Sequence, residues 1–282
     1  MGTIAMRTIN RSGRTFSIAE ELPFWQDLEM GAWEPDTIAF LDRFATDGKV
    51  MFDIGAWMGP VTLFAAAGGT TCYSFEPDPV AFKRLEANVW ANDASVQERI
   101  HLEGLAVTSN GRPIRLYKRY DFGDSGSSML ERVKDSGEYV EIPSVTLMEY
   151  VRKKEIQRID LLKMDVEGGE FELIPSLMPV LEEFKPVFFL ALHFPYLVEH
   201  AEKEFSPYGP IRRMKRSMNK LTGRPELHHA WVKAEKDAAA TIKLLQQFPY
   251  IYTSSMDRLD SASLPSQLRG LTDLVFSYRP LT

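Results

Sequence analysis

The chain has 282 residues, 44% of them hydrophobic and 26% charged, with a formal net charge of −6. These are ordinary values for a soluble globular protein; the length suffices for one large core with insertions, and the negative balance argues against nucleic-acid binding. A single cysteine, Cys72, leaves no intrachain disulfide and points to a reducing compartment. No apolar run approaches a membrane span, and the opening MGTIAMRTINRSGRT lacks a secretory apolar stretch, so a cytoplasmic location is expected.

Residues 1–48 form an extension ahead of the first predicted strand. A helix is expected from Pro35, with Ile38, Leu41 and Phe44 on one face. VMFDI, 50–54, reads as a buried strand; a glycine turn, Gly55 to Gly59, follows, and Pro60 opens a helix. TTCYSF, 70–75, is a second strand that ends on Glu76. Residues 79–92 carry Phe82, Leu85, Val89 and Trp90 at helical spacing. IHLEGLAV, 100–107, predicts a third strand, RPIRLYKRY, 112–120, an exposed antiparallel strand, and DFGDSGSSM, 121–129, a loop. VEIPSVTLMEYV, 140–151, predicts a strand leading into a short helix.

Ile159 to Met164 predict a buried strand that ends at Asp165, with a helix from Glu170. PVFFLALHF, 186–194, is a continuous apolar run and hence a central strand. Residues 195–230 break the pattern with prolines and a basic stretch and read as an insertion. Helical spacing returns from Trp231 through Ala234, Ala238, Ile242 and Leu245. LTDLVFSYRP, 271–280, predicts a final edge strand. Strands alternating with helices imply an open, mostly parallel α/β sheet over 49–282. Ligands of such sheets bind beyond the carboxyl ends of the strands, where Asp53, Glu76, Asp165 and His193 fall.

A strand, a glycine turn, a helix and a second strand ending in an acid make a nucleoside-binding unit. Glu76 lies about 20 residues past the turn, where it can accept both ribose hydroxyls. A dinucleotide needs G-x-G-x-x-G, so that backbone can approach the pyrophosphate. This chain has G-x-x-x-G, and Trp57 and Met58 would crowd a pyrophosphate. A phosphate-free nucleoside fits better, and S-adenosylmethionine is the expected cofactor. Asp53 is expected at its amino group, Gly55, Ala56 and Gly59 along its tail, and Glu76 at the ribose. Pro77 and Asp78 are placed to shape the adenine edge, with Leu105 and Ala106 against the adenine. Ser127 and Ser128 lie in a loop that closes over the cofactor or is an ordinary surface loop.

DIGAWMG from Asp53 to Gly59, FEPDP from 75 to 79 and above all LLKMDVEGGE from 161 to 170 resemble the FkbM family of S-adenosylmethionine-dependent methyltransferases. The resemblance covers roughly residues 30–195. It implies a Rossmann-like, seven-stranded methyltransferase sheet with helices on both faces and an antiparallel last strand. An N-terminal helical extension and a variable substrate insertion complete the expected fold. It also implies O-methylation of a hydroxyl on a small molecule, a natural product or a sugar.

Methyl transfer requires an aligned nucleophile, exclusion of water and, for an alcohol, a base. Asp165 and Glu167 share one turn and should raise each other's pKa; His193 ends the next strand and can converge on them. Glu167 could equally hold the turn through backbone amides. Asp165, Glu167 and His193 could also bind Mg or Mn, which would acidify an alcohol. The basic stretch, with Arg212, Arg213, Lys215, Arg216, Lys220 and Arg224, is either a solvated loop or a recognition surface for an anionic or carrier-bound acceptor. A homo-oligomer is left open. The competing functions are an NAD(P)-dependent oxidoreductase, disfavoured by the glycine pattern, and a non-catalytic cofactor-binding module.

Overall fold

The apolar runs become the inner strands of one sheet. The computed structural model describes residues 6–132, 137–205, 227–267 and 271–281. The chain opens with a hairpin, β1 (Arg7–Arg11) and β2 (Arg14–Ile18), followed by α1 (Pro23–Met30) and α2 (Pro35–Phe44). Next come β3 (Val50–Ile54), α3 (Pro60–Ala67), β4 (Thr71–Phe75), α4 (Pro79–Trp90), α5 (Ala94–Gln97) and β5 (Ile100–Glu103). Four short strands follow, β6 (Ala106–Val107), β7 (Ile114–Tyr117), β8 (Tyr139–Ile142) and β9 (Ser144–Val145), then α6 (Leu147–Lys153). The second half holds β10 (Leu161–Met164), α7 (Glu170–Phe184), β11 (Val187–His193), α8 (Phe194–Phe205) and α9 (Leu227–Leu245). β12 (Tyr250–Thr253), β13 (Arg258–Leu259), α10 (Leu264–Gln267) and β14 (Leu271–Ser277) complete it.

The main sheet runs in the order β13-β12-β14-β11-β10-β3-β4-β5. β11, β10, β3, β4 and β5 are parallel, and β14 is antiparallel to both β11 and β12. Period-two alternation divides the core. Phe52, Leu162 and Phe188 face α6, α7 and α9, whereas Met51, Leu161 and Phe189 face α1, α2 and α3. With both faces covered, the central strands read as unbroken apolar runs. This is the Rossmann-like methyltransferase sheet, its seven expected strands extended by the two-residue β13. Among the described residues no helix is long and apolar enough to cross a membrane.

Several expectations are corrected. The extension is not purely helical, because RSGRT makes a two-residue hairpin turn with Ser12 and Gly13 both at positive φ. The third strand divides: β5 stops at Glu103, and β6 pairs with β9 outside the main sheet. β14 is not an edge strand. Leu274, Val275 and Phe276 are buried on both faces, so the strand lies inside the sheet. The irregular stretch expected from 195 begins instead as α8, continuous with β11. The basic stretch 211–224 lies outside the described residues.

The extension is fastened to α4 and the turn that follows it by two asparagines four residues apart. Asn88 Oδ1 accepts from Ala19 N at 2.9 Å, and its Nδ2 donates to the Met58 carbonyl at 2.9 Å. Asn92 bonds both backbone groups of Ser17. Asn88→Ala would strand one donor and one acceptor away from water. It should lower unfolding free energy by about 1–3 kcal/mol, read by urea denaturation. An unchanged midpoint would show that the extension is held by packing alone.

Candidate active site

The glycine turn after β3 is shaped by protein contacts. Gly55 has φ +86, and a β-carbon there would collide with the Asp165 carbonyl oxygen at the end of β10. The glycine therefore permits two adjacent strand ends to approach. Gly59 has φ +97, and a β-carbon there would lie 2.6 Å from Leu85 Cδ1. Gly55 N and Ala56 N both donate to the Phe75 carbonyl at 3.0 Å, which fixes the turn against β4.

Glu76 follows β4 and is buried, with 6% exposure. Its Oε2 accepts from Trp57 N and its Oε1 from Asp78 N, both at 2.7 Å. Burial outweighs these amides and pushes the carboxyl up to about 8. Each oxygen keeps a further lone pair for a hydroxyl donor. Glu76, Gly55, Ala56, Pro77, Leu105 and Ala106 form one wall of a cavity of about 300 Å³. The split between β5 and β6 brings Leu105 and Ala106 to that wall.

The cavity also has a charged side. Asp165, Glu167 and His193 line it, with Ser128 beside them. His193 Nδ1 lies 2.8 Å from Glu170 Oε1, while Nε2 lies 3.7 Å from Asp165 Oδ1 and 3.9 Å from Glu167 Oε2. Glu170 is fully buried at the start of α7, and its Oε1 also accepts from Val166 N and Gly168 N. It fixes both the turn and the imidazole. Burial opposes charge on His193, but Glu170, Asp165 and Glu167 together raise it to about 10.

The two acids, expected to raise each other's pKa, differ instead. Burial would raise Asp165, yet Lys163 and His193 hold it below the usual carboxylate range. Lys163 Nζ lies 3.3 Å from Asp165 Oδ2 and 3.8 Å from Asp53 Oδ1. Glu167 has no such lysine, and burial raises it to about 7. Of the two, Glu167 is therefore the acid poised to exchange a proton at neutral pH.

Asp53 and Gly59, expected near the cofactor, are not among the residues that line the cavity. Asp53 pairs with Lys163 across the β3–β10 ladder, so the two share a sheet face. The Asp53 carboxylate is buried behind that lysine and accepts from Thr62 Oγ1 at 2.7 Å. Asp78, expected near an adenine, instead caps α4 through Oδ1, and its Oδ2 accepts from Gly123 N and Ser127 Oγ. The sequence reading assigned no role to Lys163, Glu170, Trp33, Glu34 or Asp273. Lys163, Trp33, Glu34 and Asp273 line the cavity. A lysine within the LLKM strand and an acid within LTDLVFS were the available signals, since charges inside apolar strands need partners.

A parallel sheet with an antiparallel β14, a glycine turn and an acid-ended second strand define an α/β protein of the methyltransferase architecture. The Methyltransferase FkbM domain model matches residues 45–230, more than half of the chain, and the chain belongs to that family. A curated relative, the 31-O-demethyl-FK506 methyltransferase FkbM of Streptomyces tacrolimicus, is 31% identical over 156 residues, 46% of this chain and 60% of that protein. The match thus spans three fifths of the relative's length. Among solved structures, methyltransferase FkbM from Methylobacillus flagellatus gives a TM-score of 0.42 at 15% identity, covering 82% of this chain and 44% of that one. An O-methyltransferase from Bacillus cereus in complex with SAH gives 0.41 at 9% identity, covering 91% and 80%.

Gly55 and Gly13 separate conformational strain from close approach. Both have positive φ, but a β-carbon at Gly13 meets nothing within 4 Å. Gly13→Ala should cost about 1 kcal/mol, and Gly55→Ala at least about 2 kcal/mol more, in chemical denaturation. Equal losses would show that the Asp165 carbonyl yields freely.

Proposed function

We propose that this chain is an S-adenosylmethionine-dependent methyltransferase that acts on a hydroxyl oxygen of a small molecule, with Glu167 taking the hydroxyl proton. The carrying observation is one cavity with two dissimilar walls: the glycine turn with Glu76, and the buried Asp165–Glu167–Glu170–His193 group. Family membership supports the cofactor, and the curated relative's printed name supports oxygen as the acceptor atom.

The cofactor supplies an electrophilic methyl on a sulfonium. Glu76 is suited to accept ribose hydroxyls, and Leu105 and Ala106 offer an apolar surface to adenine. Asp165, held ionised, would supply negative charge to favour the sulfonium. Glu167 takes the proton at its carboxylate, and the imidazolium of His193, steadied by Glu170, remains as its counter-charge. Pro60 at the first position of α3 removes an amide that a pyrophosphate would use, which weighs against a dinucleotide.

A second reading is supported by geometry. Asp165, Glu170 and His193 present ligand atoms within 4.8 Å of one another. Asp165 Oδ1 and Glu167 Oε2 are buried without a hydrogen-bond partner among the described residues. These oxygens, with His193 Nε2, could hold Mg or Mn, which would polarise the acceptor hydroxyl.

Calorimetry with S-adenosylhomocysteine should show saturable binding and NAD none. Glu76→Ala should weaken the former by about 1.5–3 kcal/mol. Tighter binding of NAD would overturn the cofactor assignment.

Product S-adenosylhomocysteine, measured over a panel of sugars and hydroxylated natural products, tests the chemistry. Wild-type turnover should rise as pH passes through about 7, the Glu167 value. Glu167→Gln should lose that limb and about a hundredfold in turnover, with cofactor affinity kept. Undiminished Glu167→Gln turnover would remove Glu167 as the acceptor of the proton. EDTA sensitivity reversed by Mg or Mn would favour the cation instead.

A further inference from the structure

The cavity draws its lining from two parts of the chain. Most of it comes from residues 54–193, inside the stretch that the family model matches. Trp33, Glu34, Thr37 and Asp273 line it from outside that stretch. Members of a methyltransferase family share a cofactor and differ in acceptor, so residues from outside the shared domain are where an acceptor is read.

The sheet register brings them to one end. Phe189, Ala191 and His193 alternate onto one face of β11, and all three line the cavity. Asp273 is the direct partner of Ala191 across the β11–β14 ladder, so it stands on that face beside a side chain too small to cover it. α2 packs over the same face, with the Phe40 and Phe189 ring centroids 4.9 Å apart. The turn between α1 and α2 thereby carries Trp33 and Glu34 to the cavity.

Trp33 is fixed there. Its backbone N–H donates to the Asp27 carbonyl at 3.1 Å, and its ring lies 6.0 Å from that of Phe24. Phe24 in turn packs at 4.7 Å on Trp57 of the glycine turn. Glu34 has φ +37 and precedes α2 without capping it through its side chain, so its carboxylate is not spent on the helix. The cations that face Glu34 and Asp273 are already engaged. Lys163, which faces both, is held by Asp53 and Asp165; His193, which faces Asp273, meets Asp165, Glu167 and Glu170. Asp36 adds a further negative charge beside Asp273. Independently, Asp165 Oδ1 is buried with no hydrogen-bond partner among the described residues. This end of the cavity thus has carboxylates in excess of cations, an oxygen that lacks a donor, and an indole face. A tryptophan face attracts an organic cation.

We propose that Trp33, Glu34 and Asp273 select an acceptor that carries a protonated amine beside its reacting hydroxyl. The two carboxylates hold the ammonium against the face of Trp33, so the nitrogen keeps its proton while the hydroxyl oxygen is offered for reaction. This rests on the methyltransferase reading and narrows its acceptor class. It runs against an anionic acceptor, which the basic stretch 211–224 would suit.

Calorimetry with matched probes tests the selection, with and without S-adenosylhomocysteine. One set is trans-2-aminocyclohexanol, trans-cyclohexane-1,2-diol and trans-2-hydroxycyclohexanecarboxylate; the other is glucosamine, glucose and glucuronate. In at least one set the amine should bind about tenfold more tightly than the neutral member, and the carboxylate should not bind. Added salt should shrink the preference. Glu34→Gln and Asp273→Asn keep size but remove charge, and each should reduce the preference severalfold. Trp33→Ala should weaken the amine and the neutral probe, the amine more. Retained S-adenosylhomocysteine binding shows that each variant is folded. Three results would overturn the proposal: neutral or acidic members binding as well as the amines, no amine binding at millimolar concentration, or an amine preference that survives both acid substitutions. Should Asp273→Asn not fold, a preference undiminished in folded Glu34→Gln would do the same. Failure of S-adenosylhomocysteine to bind the wild type would instead count against the cofactor assignment, and the amine preference is measured without it.

Discussion

The buried ammonium of Lys163 is the constraint on which the site depends. It lies between Asp53 of β3 and Asp165 beyond β10, with the Gly55 carbonyl at 3.4 Å. Burial lowers a lysine's pKa, yet the surrounding carboxylates raise this one overall, so the charge persists inside the sheet. Removing one partner from such a group typically costs about 3–5 kcal/mol, because the other charge is left uncompensated. The same contacts bind the glycine turn to the strand that carries the acids. The two walls of the cavity therefore cannot drift apart without exposing a broken ion pair.

That lysine also sorts the acids. Asp165 sits against it and is held ionised; Glu167, two residues on, lies beyond its reach and titrates near neutrality. Adjacent carboxylates can thus differ because their environments differ. His193 belongs with the charge holders. Glu170 grips one nitrogen, and two further carboxylates face the other.

Much of this was legible in the chain. Unbroken apolar runs mark β10 and β11 as central, and the acid after TTCYSF marks one side of the cavity. What escaped depends on facing and on distant partners. Asp53 ends a strand as expected, but its side chain is claimed by Lys163 and Thr62, and only the sheet register reveals that. The hairpin at RSGRT was hidden because neither strand has the strong alternation of an amphipathic pair. Glu170 looked like a routine helix start, since its histidine partner is one strand away. The place of β14 could have been inferred from its apolar LVF core, which suits an interior strand better than an edge.

The position of β14 bears on how the molecule is made. During synthesis β11 emerges long before residues 271–277, and until they arrive its outer side is an unpaired apolar edge. Such an edge invites pairing with other chains. β12 cannot shield it, because in the finished sheet β12 joins β11 only through β14. The nascent protein therefore passes through an interval in which its parallel strands can assemble while one side stays open to self-association. Loss of residues 271–277 would make that interval permanent, and the expected outcome is insolubility rather than a merely weakened fold.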